Sequence, residues 1–373
     1  MKPGDRLTTA QDHFYMGRAL QLAMRGLYTT HPNPRVGCVL VKDGAIVGEG
    51  WHEYAGGPHA EINALAQAGT RARGATCYAT LEPCCHQGRT PPCSNALIRA
   101  GVARVVAAMQ DPNPKVGGEG LLALKEAGIL VESGLFAAQT EQLNPGFIKR
   151  MKEGLPFVRA KVAMSLDGRT ALASGESRWI TSPEARLDGQ RLRAQSSAIM
   201  TGIGTVLADD PSLTARLPER DPGLQPLRVV LDSQLRMPTS ARLLGMPGHT
   251  WVLTTSAPED AKKALLQSGA KIVKIDAANG RVDLRAALRH LAGIEVNEVL
   301  LEAGPALTGG MLDAGLVDEL VIYLAPKLMG SGGYGVAELP GIQKMADCPT
   351  LAIVDVRPIG SDWRITAKIR QEK

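Results

Sequence analysis

A chain of 373 residues is too long for one ordinary core and divides into two domains, and 44% hydrophobic with 21% charged residues is the balance of a globular, water-soluble protein. A net charge of +5 without any basic run excludes a nucleic-acid-binding tail. The start, MKPGDRLTTAQDHFYMGRAL, is polar where a signal peptide needs an apolar segment, and no stretch is long enough to span a bilayer, so a cytoplasmic protein with no membrane partner is expected. In that compartment six cysteines, four of them between Cys77 and Cys93, read as metal ligands rather than a disulfide framework.

In chain order, apolar residues at Phe14, Met16, Ala19, Leu20, Ala23 and Met24 predict an amphipathic helix over residues 9–25, with Thr8 or Thr9 as its cap. A proline-bracketed loop, 30–37, leads into a buried strand, 38–41, and Asp43-Gly44 turns the chain into a second strand, 45–50. Pro58 suits the first turn of a helix whose apolar face is Ile62, Leu65 and Ala66 and which ends near Gly69. His59 and Glu61 then share that first turn. Residues two apart do not share a helix face, but at a helix terminus both can approach one ion near the axis. A strand over 75–81 delivers Glu82-Pro83-Cys84 to the same end. Cys93 precedes a short helix, 94–101, stopped by glycine, whose dipole favours a thiolate at its start.

A histidine, a carboxylate two residues later and two cysteines downstream are what a zinc centre needs to make water a nucleophile. Three protein ligands leave a fourth position for water, whose pKa the ion lowers from about 15.7 to roughly 7. These residues resemble the cytidine-deaminase-like zinc hydrolases, with their H-x-E and P-C-x-x-C signature. Here, however, eight residues separate Cys84 from Cys93. That insert, ending His86-Gln87-Gly88-Arg89-Thr90-Pro91-Pro92, is similar to the deaminase half of the bifunctional riboflavin-biosynthesis deaminase/reductase family, as are Pro32-Asn33-Pro34-Arg35-Val36-Gly37 and His59-Ala60-Glu61. Cys85 departs from the family, where serine is usual. By that resemblance His59, Cys84 and Cys93 bind zinc, and Glu61 is the proton shuttle between water, ring and departing ammonia.

Spacing by itself leaves two alternatives open: a structural zinc closed by Cys85 or His86, and a Cys84–Cys93 disulfide. Asn33, His52, His86 and Lys115 are candidates to hold a pyrimidine and its ribose phosphate. The loop 111–117 echoes 31–37; on sequence alone both are equally well plain turns, and the resemblance tips them toward substrate binding.

Helices over 120–128 and 137–144 flank a strand at 129–132, and a crossover bracketed by 144–147 and 152–156 closes a first domain of residues 1–150. Residues 151–373 alternate strands (157–163, 198–201, 227–232, 250–254, 271–275, 298–302, 319–324, 352–356, 363–369) with helices (183–193, 258–267, 284–292, 306–314). This predicts an α/β domain with a largely parallel sheet, antiparallel pairs near its end, and ligands beyond the carboxyl ends of its strands. Three loops lie there: 164–181, 201–211 and 301–310. The last opens a helix whose free amides can receive a phosphate. None is a G-x-G-x-x-G fingerprint.

These loops resemble the reductase half of the same family, which is related to dihydrofolate reductase. By that resemblance Ala163, Trp179, Thr205, Asp209 and the loop Gly304, Pro305, Ala306, Leu307, Thr308, Gly309 and Gly310 contact NADPH, while Ser177, Arg193, Leu213, Arg216 and Glu302 hold the ribose phosphate substrate. Trp179 either offers its face to the cofactor or packs in the core. Arg193, late in its helix, either binds phosphate bidentately or is a solvated, dipole-compensating charge.

The expected architecture is therefore α/β, an N-terminal cytidine-deaminase-like zinc domain followed by a C-terminal dihydrofolate-reductase-like domain. The resemblance implies deamination of 2,5-diamino-6-ribosylamino-4(3H)-pyrimidinone 5′-phosphate, then hydride transfer from NADPH to C1 of the ribose, opening it to a ribityl chain. Zinc and NADPH are the implied cofactors and a phosphorylated pyrimidine nucleotide the implied partner; a homo-oligomer is left open. A nucleic-acid deaminase would want an aromatic, basic surface near the zinc, and aromatic residues are only 4% of the chain. A zinc-stapled binding protein without catalysis is the rival from another class.

Overall fold

The computed structural model describes residues 9–85, 92–114, 116–218, 221 and 223–370. The chain separates into two compact units that meet in sequence between Gly154 and Leu155.

The first unit begins with α1 (Ala10–Met24), β1 (Gly37–Lys42), β2 (Ala45–Trp51), α2 (Ala60–Ala68) and β3 (Thr76–Ala79). It continues through α3 (Cys93–Ala100), β4 (Arg104–Ala107), α4 (Glu119–Glu126), β5 (Leu130–Ser133), α5 (Ala137–Leu143) and α6 (Pro145–Glu153). The sheet order is β2-β1-β3-β4-β5, with β1 antiparallel to both neighbours and β3, β4 and β5 parallel. Thr9 caps α1 in a reciprocal capping box with Asp12. Asp12 also accepts from the Tyr78 phenol and from Arg104, each at 2.7 Å, which ties α1 to β3 and β4.

The placement of α2 matters most for the chemistry. Ala60, Ala64 and Ala68 recur every fourth residue and so form one buried face. They lie on Gly48 and Gly50 of β2. A Cβ at Gly50 would stand 2.3 Å from the Ala60 carbonyl oxygen and 2.5 Å from the Ala64 nitrogen. Alanine against glycine therefore lets helix and strand backbones touch, and that contact sets where the helix begins. Gly50→Val is expected to destabilise the unit by about 1–3 kcal/mol, the usual range for overpacking. Thermal unfolding measures it, and an unchanged midpoint would contradict this seat.

Two expectations are corrected here. The helix starts at Ala60, so Pro58 stands outside it and His59 is its N-cap, with extended backbone at φ −73° and ψ 162°. Residues 145–153, expected as part of a crossover, form α6, because Pro145 sits in its first turn, where a missing N–H costs nothing.

The second unit carries β6 (Phe157–Ser165), α7 (Pro183–Gln195), β7 (Ala198–Gly202), α8 (Ile203–Asp209), β8 (Leu227–Leu231), β9 (Thr250–Thr254) and α9 (Glu259–Gln267). Then come β10 (Ala270–Lys274), β11 (Ala277–Ala278), β12 (Arg281–Val282), α10 (Leu284–Gly293), β13 (Glu298–Leu301) and α11 (Pro305–Asp313). β14 (Glu319–Ala325), β15 (Leu351–Ile359) and β16 (Asp362–Ile369) complete it.

Its main sheet has the order β10-β9-β8-β7-β13-β6-β14-β16-β15. The strands from β10 to β14 are parallel, and β16 and β15 add two antiparallel pairs at one edge, as expected. The central β13 is buried at every position, as a parallel strand covered on both faces must be. Residues 203–209, expected as loop, form α8 because Ile203 and Val206 pack inward. The small β11–β12 hairpin was not foreseen. Among the described residues no helix is long and apolar enough to cross a membrane.

Candidate active sites

In the first unit β3, α2 and α3 converge on one point. His59 caps α2, Cys93 is the first residue of α3, and Cys84 lies in the segment leaving β3. Their donor atoms lie within 4.8 Å of one another. His59 Nδ1 is 3.6 Å from Cys84 Sγ and 3.3 Å from Cys93 Sγ. Tetrahedral zinc, with Zn–S near 2.3 Å and Zn–N of about 2.0–2.1 Å, would set sulfur and nitrogen about 3.6 Å apart, so this donor set fits that ion.

The electrostatics agree. The Cys93 N–H, at the start of α3, donates to Cys84 Sγ at 3.4 Å. Hydrogen bonding to Cys93, with help from His59 and against burial, brings the Cys84 thiol down to about 4. The bond to that thiolate, together with burial, holds Cys93 well above the usual thiol range. A thiol made acidic in this way beside a second sulfur and a ring nitrogen suits a cation.

Cys85 does not join the cluster, and all six cysteines are free thiols. The chain therefore forms neither a Cys84–Cys93 disulfide nor a fourth ligand from Cys85. His86 and Lys115 lie outside the described residues. Glu61, 4% exposed, stands in the first turn of α2, two residues after His59. Burial lifts its carboxyl to about 7, against the opposing pull of His59.

Asn33 and His52 come next to this cluster. The His52 and His59 rings stand edge to face, 5.5 Å between centroids. Burial lowers the pKa of His52, which keeps it neutral. Its Nδ1–H donates to the Pro58 carbonyl at 3.0 Å, so Nε2 accepts from Asn33 Nδ2 at 2.9 Å. Both nitrogens of His52 are thus used within the protein. Asn144, which sequence reasoning missed, clamps the preceding loop: its Oδ1 accepts from the Arg35 N–H at 2.8 Å and its Nδ2 donates to the Arg35 carbonyl at 3.0 Å.

In the second unit a cleft of about 1960 Å³ opens beyond the carboxyl ends of the parallel strands. Ala163, Trp179, Thr205 and Asp209 line it, as do Gly304, Pro305, Ala306, Leu307 and Gly310 around the start of α11. Thr308 and Gly309 do not. They lie on the buried face of α11, where a Cβ at Gly309 would stand 2.0 Å from the Glu338 carbonyl oxygen. Among the residues expected to contact NADPH, these two belong to packing. Trp179 is 64% exposed, with the Arg186 guanidinium 4.5 Å from its ring centroid, so it is not a core residue.

Ser177, Arg193, Leu213, Arg216 and Glu302 also line the cleft. Arg193 is neither solvated nor free for a bidentate grip on phosphate, because it already makes one. Its Nε and Nη2 donate to Glu302 Oε1 and Oε2 at 2.6 and 2.8 Å, and Nη1 donates to the Thr214 carbonyl at 3.0 Å. Burial would raise the Glu302 carboxyl, but Arg193, Lys161 and Arg216 overcome it and hold it at about 2. Three cations thus surround one carboxylate, which leaves a positive surplus. Lys161 went unrecognised in the sequence. Its signal was a lysine in the middle of strand β6, between buried Ala160 and Val162.

Residues 9–109 match the cytidine and deoxycytidylate deaminase zinc-binding region, and residues 156–365 match the RibD C-terminal domain. Riboflavin biosynthesis protein RibD of Escherichia coli is 53% identical over 362 residues, covering 94% of this chain and 98% of that one. The protein of the same name from Haemophilus influenzae is 50% identical over 96% and 97%. The solved structure of Acinetobacter baumannii RibD, form 1, matches with a TM-score of 0.91 at 45% identity, covering 97% of this chain and 99% of that one. A Thermotoga maritima structure described as a diaminohydroxyphosphoribosylaminopyrimidine deaminase/5-amino-6-(5-phosphoribosylamino)uracil reductase matches with a TM-score of 0.85 at 33% identity, over 96% and 99%.

Proposed function

Because the chain belongs to the RibD family of bifunctional riboflavin-biosynthesis enzymes, we propose that His59, Glu61, Cys84 and Cys93 form its deaminase centre and that the cleft of the second unit is its reductase site. The protein is a zinc-dependent deaminase and an NADPH-dependent reductase. The observation that carries the residue assignment is the buried carboxylate of Glu61, two residues from His59, beside three donors spaced for one tetrahedral ion.

Zinc held by His59, Cys84 and Cys93 supplies the Lewis acidity that makes water nucleophilic at neutral pH. Glu61 takes the proton of the attacking water at its carboxylate. It gives that proton to the ring nitrogen, then takes the second proton from the hydroxyl of the tetrahedral adduct and passes it to the amino group, which departs as ammonia as the carbonyl forms. Asn33, oriented by His52, faces the base of 2,5-diamino-6-ribosylamino-4(3H)-pyrimidinone 5′-phosphate, with His86 and Lys115 assigned to the same substrate.

In the reductase cleft, Arg216 and Lys161 draw the substrate phosphate. The start of α11 at Gly304 and Ala306 offers amides to the cofactor phosphates, and Trp179 offers its exposed face. Reduction at C1 of the ribose then rests on positioning and electrostatics. The free thiols suit a cytoplasmic setting. This reading calls on small phosphorylated molecules, not on nucleic acid or a membrane.

Purified protein mixed with the diaminopyrimidine ribotide and NADPH should release ammonia and oxidise the cofactor. After zinc is stripped with a chelator, ammonia release should be lost while the deaminated ribotide still supports cofactor oxidation. Loss of both together, or of neither, would contradict two separate sites.

A further inference from the structure

Glu82 has no part in the chemistry above, yet it is 3% exposed and stands two residues before Cys84. Its Oε2 accepts the N–H groups of Asp111 and Gly118, both at 3.0 Å. Its Oε1 accepts those of Gly120 at 2.9 Å and Leu121 at 3.2 Å. An ionised carboxylate offers about four acceptor positions, and backbone amides fill them here. The Glu82 N–H in turn donates to the Met109 carbonyl at 3.0 Å.

A separate observation places the same elements in contact. A Cβ at Gly120 would stand 2.0 Å from the Pro83 carbonyl oxygen and 3.1 Å from Glu82 Oε1, so the first turn of α4 rests directly on the segment that carries Cys84. Between the two gripped ends, the chain folds back on itself. The Asn113 N–H donates to Asp111 Oδ1 at 2.8 Å, and the Val116 and Gly117 N–H groups donate to the Asn113 carbonyl at 2.9 and 3.0 Å. One side chain therefore holds both ends of the loop around Asn113 at the flank of the metal-binding segment.

We propose that Glu82 is a positioning residue for the deamination, fixing the loop around Asn113 against the Cys84 segment so that the loop meets the pyrimidine ribotide. This rests on the reading of the first unit as the deaminase centre. Glu82→Gln keeps the shape but turns one acceptor oxygen into an amino group facing two N–H donors. The KM for the diaminopyrimidine ribotide should rise about tenfold or more, the effect of leaving buried hydrogen-bonding groups unpaired. Meanwhile kcat should fall by less than about threefold, zinc content should match wild type, and reduction of the deaminated ribotide should be unchanged. The amides of Asp111, Gly118, Gly120 and Leu121 should exchange faster with deuterium.

Glu82→Asp keeps the charge but withdraws it by one methylene, and should give an intermediate KM. If the glutamine variant does not fold, this one decides the matter. An unchanged KM, or a loss of activity that only tracks loss of zinc, would overturn the proposal. A Glu61→Gln protein that still releases ammonia at the wild-type rate would instead overturn the site reading beneath it.

Discussion

Replacing Glu61 by glutamine is expected to slow ammonia release by about 10²–10⁴-fold, the range over which a positioned proton-transfer group acts. Zinc content and reduction of the deaminated ribotide should stay at their wild-type values. The substitution is close to isosteric, and Glu61 is not among the three clustered donors, so the ion's seat stays complete. What disappears is a group that can hold a proton and give it back. Glu61 is buried two residues from His59, where a carboxyl can take up a proton and release it, and an amide can do neither. The experiment measures ammonia, bound zinc and cofactor oxidation in one preparation. A zinc-loaded variant within about tenfold of the wild-type rate would remove Glu61 from the proton path.

The cluster proposed as the deaminase centre was legible in the sequence because the chemistry ascribed to it needs particular residue types at particular places on elements. A histidine at a helix start, a carboxylate in the turn that follows and a cysteine opening another helix are short-range features, and the patterns predicted those helices to within a residue or two. Which ring nitrogen of His59 faces the cluster was not legible. That Nδ1 of His59 faces the thiols follows from the extended backbone of an N-cap, which a helix drawn from Pro58 would not have placed.

Pairings across long stretches of chain were equally hidden. Glu82 meets amides 29 to 39 residues away, and Asn144 meets Arg35 across 109. In each case the side chain satisfies backbone groups of a loop, and the sequence carries no periodicity that records it. Helix phase explains the other miss. The loop 304–310 was expected to meet NADPH as a whole, but most of it is the first turns of α11, so Thr308 and Gly309 turn into the packing while Pro305 and Ala306 face the cleft.

Arg193 is where structure most changes the expected experiment. The resemblance gave Arg193 to the ribose phosphate substrate, but the guanidinium is buried on Glu302 in a two-pronged pair. Arg193→Met should therefore destabilise the second unit, by less than the roughly 3–5 kcal/mol of a buried charge left wholly uncompensated, because Lys161 and Arg216 remain near the carboxylate. Arg216→Met, which breaks no ion pair among the described residues, is the cleaner test of substrate binding.

The pH dependence supplies a signature specific to this pair. In the wild type the Glu302 carboxyl lies at about 2, below its usual 4.5, so its contribution is full above pH 4.5 and is lost as pH falls toward 2. Without Arg193 its pull on the carboxyl is lost while Lys161 and Arg216 still oppose burial, so the carboxyl rises from about 2 and the loss of stability on acidification becomes smaller and sets in at higher pH. Thermal unfolding between about pH 2 and 5 would show this shift.

Arg193→Met combined with Glu302→Leu should recover most of the stability, since a well-packed apolar pair often replaces a buried ion pair without loss. It should not recover reduction of the ribotide, because two of the polar groups at the cleft floor are gone. A single Arg193→Met variant with the wild-type midpoint and slope would show that the pair contributes nothing to the fold. Recovery of reduction in the double variant would show that neither residue touches the substrate.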